Sequence, residues 1–119
     1  GQLGHDGRAG VCFTPKRVEK LRRYTVLGVA AGISHSVCFT STGEVWTWGS
    51  NKHGQLGSRI SSTTGGKLGA PGSSTPLNVS WQQSVTTPVL EVCASHSCTL
   101  VLRRGAGAGG AFQTNEVFQ

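Results

Sequence analysis

The sequence predicts an all-β protein, and three observations carry that prediction. Val37 and Phe39 share one face of a short run, and Val45 and Thr47 alternate with Trp46 and Trp48 in the next. This period of two, over runs too short for helices, is the signature of strands. Glycine punctuates the runs, at 18 of 119 residues, while charged residues reach only 13%, a balance that fits turn-rich β structure. The third observation is that the chain repeats itself.

The clearest elements lie between Gly32 and Gly57. Ser41-Thr42-Gly43 separates two strands, and a glycine there can take the positive φ of a tight hairpin. Gly49 ends the second strand, and Asn51, Gly54 and Gly57 mark a loop that turns back sharply. Trp46 and Trp48 stand two residues apart, so both project to one side and bury a large apolar area there.

The repeats organise the remainder. Gly1-Gln2-Leu3-Gly4 recurs as Gly54-Gln55-Leu56-Gly57, 53 positions later. A second match needs no gap: residues 29–39 align with residues 92–102 at a spacing of 63, with Val29/Val92, Ala31/Ala94 and Ser34/Ser97 identical. In that register Cys98 takes the place of His35, and Ser95 that of Gly32. The two spacings differ by ten residues, which places an insertion at residues 58–75, a polar stretch of turn and linker chemistry. Pro76-x-x-Val79 then echoes Pro15-x-x-Val18.

Each unit therefore reads GQLG, loop, PxxV, polar gap, and strand–hairpin–strand. Repeats of roughly 50–60 residues built from short strands suggest the blades of a β-propeller, each a four-stranded sheet that needs neighbours to cover its faces. The four strands of the complete unit are expected at residues 17–21, 26–31, 36–41 and 44–48. The organisation read from this is a blade-like unit over 1–57, a flexible insertion over 58–75, a divergent blade-like unit over 76–104, and a glycine-rich linker and tail over 105–119. No second GEVWTWG-like strand is visible after Gly105. About two blades, beginning in mid-repeat and without a methionine, suggest an incomplete propeller from a larger protein.

The series GQLG, PxxV, VAAGxxHS, TGEVWTWG and NxxGQLG, in this order, resembles the regulator of chromosome condensation repeat. The resemblance is strong over residues 1–57, fair over 76–102, and absent after about 105. It implies blades of a typically seven-bladed propeller. It also implies that Gly32, His35, Gly43, Trp46, Trp48, Gly49, Gly54, Gln55 and Gly57 are structural, with His35 bonding to backbone at a strand start. The founding member of that family is a guanine-nucleotide exchange factor for the small GTPase Ran that also docks on chromatin, whereas many members are scaffolds.

Candidate chemistry is sparse. His35 has only Asp6, Glu19, Glu44, Glu91 and Glu116 as conceivable carboxylate partners, none near it in sequence, so a catalytic triad has no support. Cys93-x-x-His96-x-Cys98 offers zinc-type ligands, but alternate residues of one strand face opposite sides. The aligned Ala30, Ile33 and His35 form no ligand set, so no metal and no cofactor is expected, and the cysteines read as core. Thr64-Gly65-Gly66-Lys67-Leu68 lacks the spacing and the hydroxyl residue of a phosphate-binding loop. No helix or acidic residue supports a dinucleotide site at residues 105–110.

The formal charge is +6, and Lys16, Arg17, Lys20, Arg22 and Arg23 cluster. Such a patch can attract an acidic protein surface or a phosphate backbone, although no interleaved aromatics favour single-strand stacking. No apolar run reaches membrane-spanning length, and four cysteines do not make a dense disulfide framework, which favours an intracellular setting, nuclear or cytoplasmic. The expected function is a non-catalytic protein-binding scaffold, with the basic cluster and the insertion as contact surfaces. Expected partners are a protein, such as a small GTPase or an acidic surface, or chromatin, with missing blades supplied by the parent chain or other subunits. The alternative is part of an exchange factor for a Ran-like GTPase.

Overall fold

The computed structural model describes residues 1–6, 11–57, 72–79, 88–104 and 115–118. Two antiparallel sheets organise them. The first is ordered β1 (Val26–Ala31), β2 (His35–Thr40), β3 (Val45–Gly49), β4 (Ser73–Asn78); the second is ordered β5 (Val89–Ala94), β6 (Thr99–Arg103), β7 (Asn115–Phe118).

The spacing of 63 seen in the sequence is also the spacing of the strand ladders. Val26↔Thr40, Gly28↔Phe39, Val29↔Cys38, Ala30↔Val37 and Ala31↔Ser36 recur as Val89↔Arg103, Glu91↔Leu102, Val92↔Val101, Cys93↔Leu100 and Ala94↔Thr99. The irregularity between Val26 and Gly28 returns between Val89 and Glu91. The turn bond from Gly32 N–H to the His35 carbonyl returns as Ser95 N–H to the Cys98 carbonyl. Backbone pairing is thus held constant while side chains diverge.

The sheets pack so that corresponding faces follow one another. Val37, Phe39 and Val45 of the first sheet meet Val89, Val92 and Val101 of the second in one core, with Ala30, Leu77 and Ala94 at its margin. Burial of each such valine is worth roughly 1.5–3 kcal/mol relative to exposure. The opposite face of the first sheet holds Cys38, Trp46 and Trp48, with Leu21 packed on them. Farther along this face Val29 is 72% exposed, whereas Val92, its counterpart 63 positions on, is 7% exposed in the inter-sheet core.

Three expectations are corrected. Residues 17–21 form no strand; Glu19–Leu21 is a turn of 3₁₀ helix, and Leu21 N–H bonds the Val18 carbonyl. Val18 and Leu21, both half-buried, are three apart, the spacing that a 3₁₀ turn places on one side. Second, the strand that completes the first sheet comes from the far side of the GQLG loop: β4 contains Pro76 and pairs Trp46↔Asn78 and Thr47↔Leu77. The last residues of the expected insertion, Ser73 to Thr75, therefore belong to a sheet, while residues 58–71 lie outside the described residues. Third, a third strand does follow the second hairpin. β7 pairs with β6 through Thr99↔Phe118, Leu100↔Val117, Val101↔Glu116 and Leu102↔Asn115, in the register by which β3 meets β2. The preceding linker, residues 105–114, lies outside the described residues.

Candidate functional site at the seam between the sheets

His35 opens β2 and is 1% exposed. Its Nε2 lies 2.8 Å from the Thr99 hydroxyl at the start of β6, and that hydroxyl donates to the Gln55 carbonyl at 2.8 Å. A carbonyl can only accept, so Thr99 donates its proton to Gln55 and accepts from imidazole. This fixes the Nε2–H tautomer of a neutral His35. Burial holds its pKa below the ordinary histidine value, opposed in part by the Cys98 backbone. Nδ1 is buried with no hydrogen-bond partner among the described residues. His35 thus bridges the two sheets through its side chain, with the Thr99 hydroxyl as partner.

Gly32 follows from that ring. A Cβ at Gly32 would stand 2.3 Å from His35 Cε1, 2.4 Å from Nδ1 and 2.4 Å from the Ser95 carbonyl oxygen. In the second unit the pair becomes Ser95 and Cys98. Without an imidazole the close approach disappears, and a side chain is admitted at residue 95. Gly49, at φ +109°, meets a similar limit, since a Cβ there would lie 2.4 Å from the Ser34 carbonyl. Beyond it, Ser50 N–H bonds that same carbonyl at 2.7 Å.

The loop after Gly49 is stitched to itself and to the sheets. The Asn51 side-chain oxygen accepts from Leu56 N–H at 3.0 Å, and the Thr47 hydroxyl donates to the Leu56 carbonyl at 2.7 Å. Gly57 N–H bonds the Gly54 carbonyl at 3.0 Å, just as Gly4 N–H bonds Gly1. The parallel extends to the seam: the Ser36 hydroxyl donates to the Gln2 carbonyl at 2.8 Å, as Thr99 does to Gln55. Trp48 adds an indole donor to the Gln2 carbonyl at 2.8 Å. Residues 1–4 therefore occupy on the first sheet the place that residues 54–57 occupy on the second. The Trp46 ring lies tilted against Tyr24 with centroids 5.0 Å apart, and its buried Nε1 has no partner among the described residues.

Lys16, Arg17, Lys20, Arg22 and Arg23 are all exposed around the 3₁₀ turn, and Gly43 lies in the β2–β3 turn, away from the seam. Of the cysteines, Cys38 is fully buried and its thiol pKa is pushed up to about 11 by burial. Cys93 is exposed rather than core, because it lies on the outward face of β5, and Cys98 is half-buried. Glu44 is bonded to Thr42 and Asn78 at the end of the sheet away from His35, so the structure does not bring these groups together.

Sequence reading missed one feature. A cleft of about 380 Å³ opens where the two sheets meet, lined by Ser34, Ser50, Lys52, His53, Gln55 and His96. Its residues come from three separate turns, and the only signal available beforehand was the polar run Ser50-Asn51-Lys52-His53.

Comparison with known proteins places this architecture. The pattern of the regulator of chromosome condensation (RCC1) repeat matches residues 1–39 and 42–102, and a second pattern of the same repeat matches residues 26–55. The chain is 46% identical over 57 residues to the human E3 ubiquitin-protein ligase HERC2, covering 48% of this chain and 1% of that protein. It is 51% identical over 45 residues to the mouse secretion-regulating guanine nucleotide exchange factor, covering 38% of this chain and 10% of that protein. The fold resembles that of Prp20p from Saccharomyces cerevisiae, a protein described with binding properties to Gsp1p and histones. The TM-score is 0.64 at 19% identity, over 93% of this chain and 27% of Prp20p. The chain thus spans only a small part of each relative.

Proposed function

This chain belongs to the regulator of chromosome condensation repeat family, and on that premise we propose that it acts as a non-catalytic protein-binding scaffold. The observation that supports this reading is the use of the motif side chains. His35, Thr99, Ser36, Trp48 and Asn51 direct their polar atoms at backbone or at one another across the seam. Groups committed in this way hold shape, and recognition falls to loops and exposed surface. On this reading Gly32, His35, Gly43, Trp46, Trp48, Gly49, Gly54, Gln55 and Gly57 maintain the blade.

Contact is assigned to Lys16, Arg17, Lys20, Arg22 and Arg23, which are exposed and carry like charge. The partner is a protein with an acidic surface, such as a small GTPase, or chromatin. Further repeats, from the parent chain or another subunit, would cover Leu27 and Val29, which are 61% and 72% exposed. The test is the affinity of the full chain for a Ran-type GTPase and for duplex DNA, the anionic component of chromatin, with and without neutralisation of these five side chains. Binding that weakens on neutralisation and steepens with falling salt supports the reading. Affinity indifferent to both removes the basic surface from it.

A second reading, a share in guanine-nucleotide exchange, is favoured by the identity to the mouse exchange factor. Nucleotide release from a Ran-type GTPase discriminates the two. Stimulated release by the parent protein supports exchange, and an unchanged rate supports the scaffold.

A further inference from the structure

We propose that the cleft at the seam is a binding site for the side-chain carboxylate of an acidic partner peptide. This deepens the protein-binding reading above and rests on it. The lining is Ser34, Ser50, Lys52, His53, Gln55 and His96. No Asp or Glu is among them, so no internal carboxylate competes for the site. The Lys52 ammonium, the His53 and His96 imidazoles and both serine hydroxyls make no hydrogen bond or ion pair among the described residues.

Gln55 supplies the most specific indication. It is 1% exposed, and its side-chain oxygen accepts from His53 N–H at 2.9 Å. Its NH₂ end makes no hydrogen bond among the described residues, and Gln55 lines the cleft. An amide NH₂ end open to the cleft, beside an ammonium, presents donors to an incoming acceptor.

The chemistry selects the ligand. A set rich in N–H and O–H donors, with a fixed positive charge, calls for an anionic oxygen acceptor. No Phe, Tyr or Trp lines the cleft, so stacking on a nucleobase is limited to the two imidazoles. The volume of about 380 Å³ is large enough to admit a side chain inserted from a partner surface.

The test is fluorescence anisotropy of a fluorescein-labelled hexaglutamate peptide, with hexaglutamine as the neutral control, titrated with the full chain. Saturable binding of hexaglutamate alone is expected. Lys52→Gln should weaken it about tenfold, the effect of removing one charge-assisted hydrogen bond. Combining Lys52→Gln with His53→Asn and His96→Asn should abolish it. All three side chains are exposed, and unchanged melting will show that the variant folds. Undiminished binding in the triple variant overturns the proposal, as does equal binding of hexaglutamine. Displacement by inorganic phosphate as readily as by free hexaglutamate overturns the assignment to carboxylate. If hexaglutamate fails while a GTPase or DNA still binds through Lys16–Arg23, the cleft falls and the scaffold reading stands. If every acidic probe fails, both fall.

Discussion

The two sheets share one backbone plan and differ in what fills it. Every ladder pair of β1 and β2 recurs in β5 and β6 at a spacing of 63, yet the first unit carries Gly32 and His35 where the second carries Ser95 and Cys98. The imidazole and the bare glycine go together because the ring lies against the glycine Cα. Where one has been exchanged, so has the other. The comparison teaches that the repeat is defined by register and by seam contacts, and that residues within it vary in coupled sets. The same contrast appears at the hydroxyl that closes each seam, Ser36 on Gln2 and Thr99 on Gln55. Only Thr99 also receives a histidine, since His35 comes from the sheet before it.

The largest expected effect strikes the tryptophan face of the first sheet. Trp48 is 7% exposed and donates to Gln2, so Trp48→Ala should lower stability by about 3–5 kcal/mol in urea unfolding. An unchanged midpoint would remove Trp48 from the core. Next comes the coupled pair. Gly32→Ser alone introduces a Cβ into the His35 ring and the Ser95 carbonyl, with a penalty of about 1–3 kcal/mol. Gly32→Ser with His35→Cys copies the second unit, and this double variant should lose less than the two single losses combined. Strict additivity would break the comparison.

A smaller effect is read from pH. The His35 pKa is lowered in the folded state, so the unfolded chain binds the proton more readily. Its contribution is fully present above the ordinary histidine value near 6.5 and declines as pH falls through it toward the folded value. Urea midpoints compared between pH 8 and pH 5 should show a fall that is diminished in the His35→Cys variant. The same fall in both would assign it to other groups. The smallest effect is chemical: Cys38, buried and with its thiol pKa near 11, should resist iodoacetamide in the folded chain, while Cys93 and Cys12 are labelled. Prompt labelling of Cys38 would contradict the packing of the first sheet.

Local signals were legible in the sequence, and long-range ones were not. Alternation at Val37–Phe39 and Val45–Trp48 located β2 and β3, and the ungapped match of residues 29–39 to 92–102 carried through to the ladders. Pro76 was visible as a repeat of Pro15, but the pairing of its strand with β3 across the GQLG loop is non-local and leaves no pattern in adjacent residues. Val18 and Leu21 suggested a strand by composition, whereas their spacing of three fitted a turn. β7 escaped notice because Asn115–Phe118 is short and follows a glycine-rich run. His35 was singled out by its motif, but its partner Thr99 lies 64 residues away, and the cleft is assembled from three turns. Side-chain contacts between units depend on how the sheets dock, which periodicity does not encode.

The interlocking of the two sheets is tested most directly by a double-mutant cycle on His35 and Thr99, using His35→Ala and Thr99→Val with urea unfolding of the full chain. Their hydrogen bond across the seam predicts a coupling energy of about 1 kcal/mol, with the double variant losing less than the single losses combined. A coupling indistinguishable from zero would contradict the seam.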